Sequence, residues 1–209
     1  MTHILILFFA TFSAAFMATV PPGLLNMNAA KTSVEKGKKN GVIFSLGVST
    51  MIMIQAYIAV HISKFLYRHP EVIDLLLKIA IAVFAFFAIY FFITAKRKKK
   101  QKMKEVNLSK KNSFYKGTLL AALNLLTIPY YSGLNAMWNE AGWIQFKAQD
   151  IITFVLAAGM GTFSVLYLYT FYFNKLETKT NRFSKNSNYI LSALMLVLLV
   201  ITLIRIFYR

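Results

Sequence analysis

The chain has 209 residues, 57% hydrophobic and 15% charged, whereas a water-soluble domain usually carries about 25% charged residues. It contains no cysteine, which excludes disulfide scaffolds, thiolate zinc sites and dithiol electron carriers. The formal net charge of +17 fits either nucleic-acid binding or loops beside an anionic membrane surface. The basic residues lie between long apolar blocks, which favours the membrane.

Six apolar segments are long enough to cross a membrane as helices, because about 20 helical residues span roughly 30 Å of hydrocarbon. They cover residues 4–30, 41–63, 72–95, 117–139, 151–174 and 188–204. A spanning segment must satisfy its own backbone hydrogen bonds, and the sequence lacks the alternating pattern of barrel strands. It therefore predicts an all-α integral membrane protein with six transmembrane helices, forming a single transmembrane domain over residues 1–209.

The positions of Lys and Arg predict the orientation of these helices. They concentrate after the first, third and fifth segments, with the largest group in residues 96–116. Short loops rich in Lys and Arg stay in the cytoplasm, so residues 96–116 are predicted to form a basic cytoplasmic loop and both termini to lie outside. The first segment is apolar and rich in alanine, but no Lys or Arg precedes it, so we do not expect its removal as a signal peptide.

The two halves of the chain, residues 4–95 and 117–204, carry similar polar interruptions in the same order. These are Pro21, Pro22 and Gly23 in the first helix, Pro129 in the fourth, Gly47 with Thr50 in the second, and Gly159 with Thr162 in the fifth. Three helices per half force opposite orientations, so the pattern predicts two inverted three-helix repeats. We assign Gly47, Thr50, Gly159 and Thr162 to helix packing, because small residues let helices approach closely.

The prolines predict a binding site. A proline inside a helix removes one N–H donor and clashes with the carbonyl four residues earlier, and broken backbone is tolerated at membrane depth only where protein buries it or where it lines a wet cavity. Half-helix N-termini at such breaks suit a carboxylate, which an amino acid supplies. The predicted substrate-binding or translocation path comprises Pro21, Pro22, Gly23, Asn26, Asn28, Asn124, Thr127, Pro129, Tyr130 and Tyr131, with Ser132 and Asn135 nearby.

A structural alternative is that the prolines kink the helices for packing and that the polar side chains satisfy the exposed backbone without a ligand.

Residues 21–50 read PPGLLNMNAAKTSVEKGKKNGVIFSLGVST, and this stretch resembles the lysine exporter and homoserine/threonine exporter family, the LysE or RhtB type. Pro22 and Gly23 match the first two positions of the family's Pro-Gly-Pro break, Leu24 stands in place of the second proline, and Asn124 with Pro129 is similar to the family's helix 4 element. The resemblance implies a six-helix protein of the bacterial inner membrane that uses the proton-motive force to export amino acids or similar small solutes.

The sequence lacks the residues that catalysis or metal binding would require. It shows no recognisable nucleophile with a base, paired carboxylates or phosphate-binding loop, and His3, His61 and His69 are too dispersed for a metal site. We therefore expect no enzyme activity, no cofactor and no metal. The scarcity of acidic residues within the helices favours a neutral zwitterionic solute over a cationic one.

The expected partners are the lipid bilayer and a small solute, with no nucleic acid, and the sequence leaves the oligomeric state open. The alternative function is a non-transporting membrane scaffold that docks a partner through its basic loop.

Overall fold

The computed structural model describes residues 2–21, 23–96 and 112–207. These residues form seven helices and no strand, which confirms the all-α class. The helices are α1 (Thr2–Thr19), α2 (Leu24–Lys36), α3 (Lys38–Arg68), α4 (Pro70–Lys96), α5 (Ser113–Ala122), α6 (Thr127–Glu140) and α7 (Ala148–Phe207).

The seven helices do not correspond one to one to the six predicted segments. The first segment is split into α1 and α2, and the fourth into α5 and α6, whereas α7 covers both the fifth and the sixth. Within α7, Tyr172 has non-helical angles (φ −117°, ψ 16°) that mark a kink. Among the described residues, three stretches are long and apolar enough to cross a membrane: Thr2–Thr19, Lys38–Arg68 and Ala148–Tyr172. The six spans and the inverted repeat stay a prediction.

Local residue chemistry sets several helix ends. The last helical hydrogen bond at the end of α1 runs from the Val20 N–H to the Phe16 carbonyl at 3.0 Å. Pro21 has no N–H with which to continue the series. Gly37 separates α2 from α3 with a φ of 87°, a conformation that favours glycine. Pro70 begins α4, where a missing N–H costs no helical bond.

The chain divides into two compact units. The first comprises Met1–Tyr67 and Glu105–Leu176, and the second comprises Arg68–Lys104 and Glu177–Arg209. Each unit takes residues from both halves of the sequence. The buried core of the first unit includes Leu7, Phe44, Leu120, Ile144, Phe154 and Leu166.

In the second unit, α4 begins beside a contact between His69 Nδ1 and Glu71 Oε1 at 3.0 Å. Further along, α4 exposes Ile79, Phe86 and Ile89.

Contacts between helices organise the first unit. Helix α3 meets α5 at a pair of glycines: the space for a Cβ on Gly47 is filled by the Phe114 carbonyl, and that on Gly117 by the Phe44 carbonyl. Helix α1 meets α6 through two hydrogen bonds, from Tyr130 Oη to the Ala14 carbonyl at 2.9 Å and from Trp138 Nε1 to Thr11 Oγ1 at 3.1 Å. Helix α2 in turn packs against α5.

Candidate functional site

The first break is the interruption between α1 and α2 at residues 20–23, of which Pro22 lies outside the described residues. The Asn26 Nδ2 group donates to the Thr19 carbonyl at 2.6 Å and to the Pro21 carbonyl at 3.0 Å. The Tyr169 hydroxyl donates to the Val20 carbonyl at 2.9 Å. The Asn26 side chain is itself buried, and it supplies donors to carbonyls that the broken helix leaves without their helical partners.

The second break is the interruption between α5 and α6 at residues 123–126. Here the side-chain donor comes from another helix: Gln55 Nε2 of α3 reaches the Ala121 carbonyl at 3.1 Å and the Asn124 carbonyl at 3.4 Å. Each of these carbonyls also accepts a backbone N–H, from Asn124 and Thr127 respectively. Sequence analysis missed Gln55. The available signal was that Gln55 is a single amide in the apolar segment 41–63, where a buried polar group must find a partner.

The position of Pro129 corrects an expectation. It was predicted to interrupt the fourth helix, where the rule for proline would leave the carbonyl four residues earlier, that of Leu125, without its donor. Instead it is the third residue of α6 and lies after the second break. The Leu125 carbonyl accepts the Ile128 N–H at 3.4 Å. First-turn N–H groups have no acceptor within their own helix, so proline is tolerated there without loss of a helical bond.

A cavity of about 510 Å³ lies between the two breaks, within the first unit. Seven residues of the predicted path line it: Pro21, Gly23, Asn26, Asn124, Thr127, Tyr130 and Tyr131. The other lining residues are Ala18, Thr19, Leu24, Leu25, Ile52, Leu120, Leu123, Leu126 and Thr162. The structure therefore brings together the two polar clusters that the sequence placed about a hundred residues apart.

Other predicted residues lie elsewhere. Asn28 and Pro129 are not among the residues that line the cavity, and the Asn28 side chain donates to the Leu24 carbonyl of its own helix at 2.8 Å.

Of the residues assigned to helix packing, Gly47 lies at the α3–α5 contact and Gly159 faces Met53. Thr50 is exposed and bonds the Leu46 carbonyl of its own helix at 2.9 Å. Thr162 instead contributes to the cavity wall.

The cavity combines apolar walls with amide and hydroxyl groups. In the described part of the chain, none of its lining residues carries a charge. Gly23 is the N-cap of α2 without a side-chain capping bond, and the first-turn residues Leu24, Leu25 and Asn26 line the cavity. The N–H groups of a helix's first turn and its dipole favour a carboxylate. The volume falls within the range of roughly 300–1,000 Å³ that is typical of small-molecule pockets.

Metal binding has no support in the residues that the structure describes, since they contain no group of three or more His, Asp or Glu side chains arranged to hold an ion.

Comparison with known proteins agrees with the resemblance at residues 21–50. No significant match was found among curated proteins or among solved structures. The family model described as LysE type translocator matches residues 6–205, nearly the whole chain. The chain therefore belongs to the LysE type translocator family, a family of membrane transporters.

Proposed function

We propose that this protein is a secondary transporter that exports an amino acid or a similar small zwitterionic solute across the bacterial inner membrane. The solute site is the cavity between the first and second breaks. The observation that carries the proposal is that both interrupted spans meet at one cavity, where the N-terminus of α2 is not capped by a side chain. Family membership supports transport as the activity.

The lining chemistry supports the solute class. A solute carboxylate would bind the first-turn N–H groups of α2, and hydroxyl and amide oxygens from Asn124, Thr127 and Tyr130 would accept hydrogen bonds from an ammonium group. Apolar walls from Ile52 and Leu120 suit a short aliphatic side chain. A cationic side chain would call for an acidic partner, so we expect a neutral amino acid.

The composition of the two units supports the repeat hypothesis. The first unit contains the predicted helices 1 and 2 of one half and 4 and 5 of the other, whereas the second contains the residues of predicted helices 3 and 6. Corresponding parts of both halves thus belong to the same unit. In transporters built from inverted repeats, the substrate site lies where the broken helices of the two repeats meet.

Transport by the purified protein in proteoliposomes tests the proposal. Vesicles loaded with radiolabelled L-leucine, L-threonine or L-lysine, with a proton gradient imposed, should release at least one of the neutral amino acids faster than protein-free vesicles and faster than L-lysine. Thr127→Val removes one hydroxyl from the cavity wall and should slow release about tenfold, the loss of one hydrogen bond to a charged group.

Thr50→Val is the matched control, because it removes a hydroxyl that is exposed and bonded to its own helix. Retention of all three amino acids by the wild-type vesicles would refute transport and favour the scaffold alternative. Equal losses in the two threonine variants would refute the cavity as the site.

A further inference from the structure

Helix α6 carries a buried amide beyond the cavity. Asn135 has no exposed surface, and neither its Nδ2 nor its Oδ1 atom has a hydrogen-bond partner within the described ranges. It lies one turn after Tyr131, which lines the cavity. It lies one turn before Trp138, whose indole N–H donates to Thr11 of α1. Asn135 therefore occupies the stretch between the cavity and the far α1–α6 contact.

Burial without partners is unfavourable for an amide, since both its donors and its acceptor lose water. The neighbouring polar groups of α6 are paired: Ser132 Oγ donates to the Ala59 carbonyl at 3.2 Å and Tyr130 Oη to the Ala14 carbonyl at 2.9 Å. Two other buried atoms in the described residues, Ser49 Oγ and Gln55 Oε1, also lack a partner, but Gln55 uses its Nε2 group. Asn135 is the residue among these whose whole amide is unpaired.

An unpaired polar group in a core requires an explanation, and a binding role in another conformation is one that fits this position. A leucine of similar size would fill the same position without the desolvation cost. The amide offers donors for a carboxylate and an acceptor for an ammonium, the two charged groups of a zwitterion. Asn135 lies on α6 four residues after Tyr131, which lines the cavity, so its amide is one helical turn beyond the cavity wall.

We propose that Asn135 is a second binding position for the solute on the way out of the cavity, and that the stretch of α6 from Tyr131 to Trp138 is the closed exit. This rests on the proposed transport function. When α1 and α6 separate in this stretch, the solute passes from the α2 N-terminus to the Asn135 amide. The Asn135 amide then has hydrogen-bond partners on the solute when the exit is open, and none when the exit is closed.

The first test compares stability with transport in the same variant. Asn135→Leu should leave the midpoint of thermal unfolding in detergent equal to or above that of the wild type. It should also slow the release of L-leucine or L-threonine from proteoliposomes about tenfold. A merely structural role predicts the opposite for stability, a lower midpoint. A lower midpoint, or release at the wild-type rate, would overturn the inference.

The second test uses the absence of cysteine from the chain. Asn135→Cys should react slowly with a water-soluble methanethiosulfonate in resting proteoliposomes, and several-fold faster while L-leucine or L-threonine is being released. Val48→Cys, which is equally buried at the α3–α5 contact, should stay slow under both conditions. The same slow rate for both variants during release would also overturn the inference.

The two proposals fail in different ways. If Thr127→Val slows release but Asn135→Leu does not, the cavity stands and the second position falls. If the wild type releases none of the amino acids, the transport function falls, and the second position falls with it.

Discussion

At both breaks an amide side chain donates hydrogen bonds to backbone carbonyls, but the two amides come from different parts of the fold. At the first break, the Asn26 amide of α2 satisfies carbonyls only a few residues earlier in the chain. At the second break, the Gln55 amide of α3 satisfies carbonyls that lie more than sixty residues away in sequence. At the first break the carbonyls are bonded mainly by a side chain close in sequence, whereas at the second they are bonded by a side chain of a neighbouring helix. Stability at the first break therefore depends mainly on a local side chain, Asn26, with Tyr169 of α7 as a second donor, and at the second on the α3–α5 contact.

Asn26→Leu should have the largest effect. We expect the free energy of unfolding to fall by roughly 3 kcal/mol, because the Thr19 and Pro21 carbonyls both lose the donor that the buried Asn26 amide supplies. Chemical denaturation in detergent micelles measures this change. A loss no larger than that of the Gln55 variant below would contradict the view that the first break depends on this side chain.

Gly47→Ala tests the contact that holds the second break. The added methyl group would collide with the Phe114 carbonyl, so we expect a loss of roughly 2 kcal/mol as α3 and α5 are forced apart. Gly133→Ala is the matched control, because no atom lies within 4 Å of the position its Cβ would take. That helical control should gain about 0.5–1 kcal/mol from the higher helix propensity of alanine.

Gln55→Leu should cost less than either of these changes, about 1 kcal/mol by the same denaturation experiment. The variant removes one donor from each of two carbonyls that also accept a backbone N–H, and it removes the Oε1 atom that has no partner among the described residues. Gln149→Leu, at an exposed position, provides the control. An effect equal to that of Asn26→Leu would mean that the two breaks depend on their amides to the same degree.

Asn28→Leu should have the smallest effect, within about 0.5 kcal/mol of the wild type, because its amide bonds only its own helix and stays partly exposed. It has the same change of side chain as Asn26→Leu and lies two residues away on α2. Similar losses of stability in the two variants would show that the loss in Asn26→Leu does not come from the contacts of Asn26 across the break.

The sequence predicted the first break better than the second for a physical reason. Proline and glycine at residues 21–23 fix the end of a helix locally, and Asn26 lies within reach of the carbonyls that they free. Residues 123–126 contain neither proline nor glycine. The second break depends instead on contacts with α3, which no local pattern records. The nearby Pro129 therefore drew the prediction to a position that lies within α6.

The polar residues of the cavity wall could also be predicted from the local sequence, whereas the apolar residues could not. Asn124, Thr127, Tyr130 and Tyr131 were predicted because polar side chains beside a break in an apolar span have few other roles, and the structure places all four on the cavity. Their function as a substrate path stays a prediction. The apolar part of the wall, including Ile52 and Leu120, was not predicted, since an apolar residue in an apolar span gives no sign of the surface it faces.

The pairing of the half-helices has a mechanical consequence. Helix α1 is bonded to α6, and α2 packs against α5, so each interrupted span contributes one half to each of two pairs. The breaks at residues 20–23 and 123–126 are then the two points where the chain crosses from one pair to the other. A rocking motion of one pair against the other would pivot at these crossings and change the width of the cavity, whereas opening of the proposed exit would also break the α1–α6 hydrogen bond from Trp138 to Thr11.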